Sequence, residues 1–315
     1  MQDRYDTLVV VTPKDFKRLE AHYTRLADNL PGRLIFVGND ETCSLAAALN
    51  NERIISVNED DILPFDSVHR LMTERMQPLL QGTELPRGIT GWYYQQFLKM
   101  QYSALCTDSY YMTWDGDTVP CHPISMFQAG SGKPYFDVKK EYHKEYFDTL
   151  AVILPGMSKV ISHSFISEHM LFNTAIMKEL IAAVEANDKL PGNAFWEKIL
   201  YAIPVEKIQE TAFSEFETYG TFTALRHMSA YAIREWHSFR LAGEFFDPDT
   251  ICERDFAWLA KDFDAVSFEK GHSVREDHKN LFDNPDYQQK LSARQMLEAI
   301  QDLLGSDRTE EWDTI

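Results

Sequence analysis

Cysteine is scarce in this chain. Four residues, Cys43, Cys106, Cys121 and Cys252, are scattered over 315 positions. No two form a Cys-x-x-Cys pair, which removes the commonest zinc and dithiol spacings. A chain of this size needs no disulfide framework, so reduced, mostly buried thiols and a cytoplasmic setting are expected. No apolar run approaches the ~18 residues that would suggest a membrane span, so stable membrane insertion is not expected. The opening, MQDRYDTLVVVTPKD, lacks the basic start and apolar stretch of a secretory signal. Positive charge is also short. Lys plus Arg number 31 against 49 Asp plus Glu, a net of −18. That balance disfavours a nucleic-acid surface, because phosphate neutralisation needs clustered cations. It leaves room for a phosphorylated small ligand, since a bound metal ion inverts the local charge logic. Internal repeats, low-complexity tracts and long Gly/Ser linkers are absent as well.

What is present is a normal core composition, with 44% hydrophobic and 25% charged residues. This excludes a disordered chain or a coiled-coil rod. The N-terminal third alternates strand and helix patterns. Short β-branched or apolar runs at 7–12 (TLVVVT), 33–37 (RLIFV), 53–57 (RIISV) and 110–114 (YYMTW) read as strands. Helical spacing covers 14–28, 41–50, 66–80 and 91–106. The alternation predicts an α/β fold with a mixed, mostly parallel sheet flanked by helices. Further on, 173–187 is an amphipathic helix with an Asn cap. Residues 193–203 look like another helix, 264–268 like a late strand, and 284–303 like a closing helix. Residues 213–245 are aromatic and give no clear period. The expected organisation is one domain over 1–272 with a helical extension over 273–315.

The most informative segment is Tyr110-Tyr111-Met112-Thr113-Trp114-Asp115-Gly116-Asp117-Thr118. Two carboxylates sit two residues apart, directly after an apolar strand. In open α/β sheets ligands bind outside the carboxyl ends of strands. Hard divalent cations are commonly held there by one or two carboxylates plus phosphate oxygens, so Asp115 and Asp117 are candidate ligands for Mn²⁺ or Mg²⁺ bridging to a diphosphate. The plain alternative is a polar turn. Two enzyme classes use this spacing. One is nucleotide-sugar glycosyltransferases of the GT-A fold. The other is haloacid-dehalogenase-like phosphatases, with Asp115 as nucleophile. The string itself fits the phosphatase well. Its position argues against that class, because three strand–helix units precede it and no downstream Lys with paired Asp is evident.

Other blocks surround the motif. Gly91-Trp92-Tyr93-Tyr94-Gln95-Gln96-Phe97-Leu98-Lys99-Met100 precedes it. Pro120-Cys121-His122-Pro123, then Ser164-Phe165-Ile166-Ser167-Glu168-His169-Met170-Leu171-Phe172, then Phe213-Ser214-Glu215-Phe216-Glu217-Thr218-Tyr219-Gly220 follow. In this order, over roughly residues 5–225, the chain resembles a bacterial family of GT-A-like glycosyltransferases of unknown function, often associated with surface polysaccharide assembly. The resemblance implies a GT-A-like fold. It also implies transfer of a sugar from a nucleotide-diphosphate donor, UDP by expectation from the fold, to a hydroxyl of a glycan or lipid-linked acceptor. Any membrane contact would be peripheral, at the inner face. Oligomeric state is left open. A non-catalytic carbohydrate- or nucleotide-binding protein of the same fold is a further alternative.

The resemblance makes Asp117 the direct metal ligand and places Asp115 nearer the sugar or ribose. Lys99 shares a helix face with Gln95, where an ammonium neutralises phosphate or is simply solvated. Thr12 ends the first strand, at the place where GT-A proteins contact the nucleoside; a helix cap is the alternative. Resemblance puts His169 beside the donor sugar, against a satisfied structural histidine, with His163 a weaker candidate. Glu215 and Glu217 alternate with aromatics. They would share a side if extended and would sit at the positive end if they start a helix. A carboxylate in such a partly dry pocket has a raised pKa and suits a general base, with Glu215 preferred. A cap plus a salt-bridged acid is the plain reading. His272, after the late strand, matches the C-terminal histidine that many GT-A enzymes add to the metal. Trp114 and its aromatic neighbours are candidates for stacking on a base or sugar, or ordinary core.

Overall fold

The structure is a computed structural model that describes residues 5–304, with side chains through residue 300. Residues 305–315 of the expected C-terminal extension lie outside the described residues. The central sheet has five strands: β1 (Thr7–Val10), β2 (Leu34–Gly38), β3 (Ile54–Asn58), β4 (Tyr110–Trp114) and the strand His169–Asn173. Two smaller sheets use β5 (Thr118–Pro120), β10 (Ala265–Ser267) and β9 (Ser238–Phe239) in one, and β6 (Tyr135–Val138) and β8 (Ala232–Glu235) in the other, so His169–Asn173 is β7 in chain order. The central order is β3-β2-β1-β4-β7. β1, β2, β3 and β4 run parallel, and β7 pairs antiparallel to β4 with Trp114 opposite His169. The expected mixed, mostly parallel sheet flanked by helices is therefore what forms.

Strand alternation explains the two layers around it. Leu8, Ile35, Val37, Tyr111 and Phe172 point into one apolar cluster with Phe97, Ile199 and Tyr219. Val9, Phe36, Met112, Trp114 and Leu171 point into the other, with Phe16, Tyr23, Trp236 and Phe268. Both faces are covered, so the strands carry near-continuous apolar runs. The second cluster also takes in Phe282, Ala293, Met296, Leu297 and Ile300 from the C-terminal helices.

Three elements differ from the sequence pattern. The expected helix over 14–28 is broken into Pro13–Leu19, a 3-10 turn at Glu20–His22, and Tyr23–Asn29. The break lets Phe16 and Tyr23 both reach Phe36, with ring centroids 4.9 and 4.6 Å away. β7 was hidden because it runs straight into the helix Thr174–Glu185. Asn173 is its last residue and also the helix cap, accepting from the N–H groups of Ala175 and Ile176. The closing helix divides into Pro285–Lys290 and Ala293–Leu304.

Phe282 is fully enclosed and packs against Phe239, Phe245, Phe246 and Trp258. Phe282→Ala should lower unfolding stability by about 3–5 kcal/mol. The measurement is a drop in the denaturant midpoint at unchanged slope; an unchanged midpoint would show that these helices do not belong to the core.

Candidate functional site

The Asp-Gly-Asp turn leaves the carboxyl end of β4, at the centre of the sheet. Gly116 is required by close packing: a Cβ there would stand 2.1 Å from Val11 Cγ1 at the end of β1. The turn is braced by the residue just before β7, where the Glu168 carbonyl accepts the Asp115 N–H at 2.8 Å. Phe268, just after β10, donates its N–H to the Asp117 carbonyl at 2.8 Å.

Lys99 lies on the helix Arg87–Gln101, which packs under β1. Its Nζ reaches Asp115 Oδ1 at 2.7 Å and Glu215 Oε1 at 2.8 Å, and stands 4.6 Å from the Phe216 ring centroid. The Lys99 and Glu215 side chains are each 4% exposed, and Asp115 is 33% exposed. Burial alone lowers the Lys99 pKa, but Asp115 and Glu215 outweigh it and hold the ammonium above its ordinary value. Burial pushes the Glu215 carboxyl up, Lys99 partly offsets this, and Asp115 adds to the rise. Lys99 is thus a buried cation shared by two carboxylates. Gln96, one turn before it, accepts the Glu215 N–H at 3.1 Å. The Gln-Gln-x-x-Lys spacing therefore grips the start of the helix Glu215–Arg226 through Gln96 rather than Gln95.

Asp117 is in a different state. Its carboxylate accepts from the Thr118 hydroxyl at 3.3 Å and has no cation within salt-bridge distance among the described residues. Surrounding protein desolvates its carboxyl, although the residue is still partly exposed. Burial, then Asp115 and Glu269, push its pKa up to about 7, with Arg18 acting weakly the other way.

The other expected residues fall as follows. Thr12 is exposed and caps the helix Pro13–Leu19, accepting the Asp15 N–H at 3.2 Å. Trp114 is fully buried, and its indole donates to the Thr118 carbonyl. The His169 side chain is also enclosed, with Nε2 2.8 Å from Asp137 Oδ2 and Nδ1 2.7 Å from the Ser167 carbonyl. Trp114 and Trp236 flank its ring. His163 is partly exposed beside Ser162. Glu217 is 3% exposed; its Oε1 accepts from Ser164 at 2.6 Å, and Oε2 has no hydrogen-bond partner among the described residues. Burial raises its pKa. His272 is partly exposed in the loop after β10, and its buried Nδ1 has no hydrogen-bond partner among the described residues. Among the described residues, no group of three or more His, Cys, Asp or Glu is arranged to hold a metal ion. No described helix is long and apolar enough to cross a membrane.

Residues 9–306 match the DUF6492 family, a family of unknown function. The chain belongs to this family. The match bears out the resemblance drawn from the sequence blocks. No curated protein matches the chain. Among solved structures, this DUF6492 chain is similar to the mannosyltransferase Ktr4p from S. cerevisiae, at 11% identity over 67% of each chain with a TM-score of 0.39. It is similar to the galactosyltransferase LgtC, solved with donor and acceptor sugar analogues, at 11% identity over 91% of this chain and 96% of that one, TM-score 0.41. It is similar to the glycosyltransferase GlyE of Streptococcus pneumoniae TIGR4 at 9% identity, TM-score 0.38, over 97% of this chain and 66% of the longer GlyE chain.

Several residues of this DUF6492 site escaped the sequence reading. Glu168 holds a left-handed backbone (φ 60), a strained position for a non-glycine. Its carboxylate receives Lys139 at 2.7 Å, Ser238 at 3.0 Å and the Trp236 indole at 3.1 Å. Asp137, in β6, is clamped by Arg234 as well as His169. Arg240 reaches Glu269 at 2.8 Å and Glu141 at 3.2 Å. The available signal was charge inside apolar strands: Tyr135-Phe136-Asp137-Val138 places a carboxylate where a core side chain is expected.

Two expectations follow. Lys99→Met strips the buried Glu215 carboxylate and the partly exposed Asp115 carboxylate of their shared cation and should cost about 3–5 kcal/mol at pH 7. Adding Glu215→Gln should recover part of that, and a double variant no better than the single would dissolve the triad. Asp117 has a folded pKa near 7 against an unfolded value of 3.8. It therefore withdraws stability as pH rises between those values, and the penalty is full above about 7. Asp117→Asn should match the wild type at pH 4 and melt about 2–4 °C higher at pH 8, both without divalent cation. Equal melting at pH 8 would show that the carboxylate is not strained.

Proposed function

We propose that this protein is a metal-dependent glycosyltransferase of GT-A type. It moves a sugar from a nucleotide-diphosphate donor, UDP-linked by first expectation, to a hydroxyl of a glycan or lipid-linked acceptor. The observation that carries this reading is the contrast between the two acids of one turn. Asp115 already has its cation, Lys99; Asp117 has none among the described residues, and burial favours its neutral form. A divalent ion suits that vacancy of charge, and hard cations are commonly held by one or two carboxylates with the remaining oxygens drawn from a diphosphate and water. In this reading Asp117 is the principal ligand, with Asp115 beside it and His272, whose Nδ1 has no hydrogen-bond partner among the described residues, as the further candidate. When bound, Mn²⁺ or Mg²⁺ would supply positive charge to the departing diphosphate.

The chain's own residues have definable tasks. Lys99 fixes the Asp115 carboxylate and carries positive charge at the site, so the donor phosphates meet a pre-organised field. Glu215 shares Lys99 and so ties the helix that bears Glu217 to the Asp-x-Asp turn. Glu215 and Glu217 are the buried acids by which the donor side of the site would be ordered. His169, held by Asp137, acts as a positioning residue behind Trp114, where β7 meets the turn. Thr12 stands at the strand end where the nucleoside would lie.

Full-length protein screened by thermal melting with UDP and GDP should show a rise in melting temperature that requires Mn²⁺. Asp117→Ala should lose the Mn²⁺-dependent part while staying folded. A trapped phosphoaspartate at Asp115 without nucleotide binding would replace this reading with the phosphatase one.

A further inference from the structure

Acceptor activation needs a proton acceptor that a hydroxyl can reach from solvent. Glu215 is 4% exposed and bonded to Lys99, and Glu217 is 3% exposed and bonded to Ser164. The segment after β6 offers an open alternative. It leaves the floor of the site at Lys139, whose ammonium is held by Glu168 and Ser238 and whose backbone exchanges hydrogen bonds with Ser164, at 3.1 and 2.8 Å. Ser164 is the residue that bonds Glu217, and Glu168 is the residue that braces Asp115. Two residues on, the buried Glu141 carboxylate lies between Arg240 at 3.2 Å and His143 Nε2 at 3.6 Å. Arg240 also binds Glu269, whose neighbour Phe268 donates to the Asp117 carbonyl. His143 is 48% exposed, while its partner Glu141 is 6% exposed. An imidazole oriented by a buried carboxylate and open to solvent has the form of a general base.

Its flanks fit a sugar. Tyr142 is 60% exposed. It stacks on Phe147 with centroids 5.7 Å apart at 14°, so one aromatic face is supported from behind. Tyr146 lies 4.9 Å from the His143 ring, and the Lys159 ammonium sits over both Tyr142 and Phe147. Exposed, rigid aromatic rings with polar tips are economical platforms for partly apolar ligands such as pyranose rings.

We propose that residues 141–146 form the acceptor subsite: Tyr142 supports the acceptor sugar, His143 takes the proton of its attacking hydroxyl, and Glu141 positions His143. This rests on the transferase reading. The acceptor oxygen gives an electron pair to the anomeric carbon of the donor sugar. The bond from that carbon to the diphosphate oxygen breaks, and the nucleoside diphosphate leaves with its electrons. The hydroxyl proton passes to the imidazole, and the imidazolium rests against Glu141 until it is lost to solvent. The groups facing His143 are Glu141, Glu145 on its own helix, and Glu217 from the helix Glu215–Arg226, with Arg240 beyond Glu141. The nearby Glu141 carboxylate, 3.6 Å away, outweighs burial and raises the His143 pKa. Activity should therefore fall as pH drops through a value above the ordinary histidine range.

The test uses the full chain with Mn²⁺, UDP- and GDP-linked hexoses as donors, and p-nitrophenyl glycosides as acceptors. His143→Gln should melt like the wild type, bind UDP or GDP unchanged, lose about 100-fold or more in kcat for transfer, and lose the acidic limb of the kcat profile. Glu141→Gln should keep a limb but move it to lower pH, because the carboxylate that raises His143 is gone. Tyr142→Ala should raise the acceptor KM by about tenfold with kcat nearly held. Wild-type transfer and an unchanged limb in His143→Gln would overturn the subsite and leave the transferase reading standing. If the wild type neither binds UDP or GDP nor transfers any hexose, the transferase reading falls and takes the subsite with it.

Discussion

The site depends on one buried ammonium. Lys99 brings together the helix Arg87–Gln101, the turn after β4 and the start of the helix Glu215–Arg226, elements far apart in the chain. An isolated charge in such a place would be expelled or neutralised. Two carboxylates retain it, and they in turn are fixed by it. The arrangement is a poor way to gain stability, since desolvating three charges costs about what their attraction returns. Its yield is a carboxylate, Asp115, held at a defined place on the open end of a parallel sheet.

A second layer of charge lies behind the first. Lys139, Glu168, Arg240, Glu141 and Glu269 form a chain of ion pairs, and Asp137 is shared by His169 and Arg234. These groups reach the Asp-x-Asp turn through backbone: the Glu168 carbonyl holds the Asp115 N–H, and the Asp117 carbonyl holds Phe268. The strained backbone of Glu168 is affordable because its side chain and carbonyl are both committed. Charge is thereby concentrated at one end of the sheet, while both faces stay apolar. That separation is what lets a molecule of net charge −18 gather buried cations at one end of its sheet.

Much of the scaffold was legible because parallel strands buried on both faces carry uninterrupted apolar runs. Tyr110–Trp114 was read to the residue, and the strands near 34, 54 and 265 to within one or two. β7 was not, since its apolar residues merge with the helix that follows and Asn173 serves both elements. The Asp-x-Asp turn and the block holding Glu215 were identified from residue type and spacing. Their union with Lys99 was not, because a lysine on an aromatic helix reads equally as surface or site.

The sequence by itself determined the α/β class and the position of the paired acids at a strand end, for which local pattern and strand period suffice; the family was visible only as a resemblance in the order of its blocks. Only the tertiary structure decided which charges are answered and which are left over. Lys99 is divided between two acids, His169 is closed inside the fold, Asp117 has no cation partner among the described residues, and His143 is left open beside a buried carboxylate. The reason is that the cost of a charge depends on the solvent it loses and the partner it gains. Both are set by residues more than a hundred positions away, as Lys99 and Glu215 are.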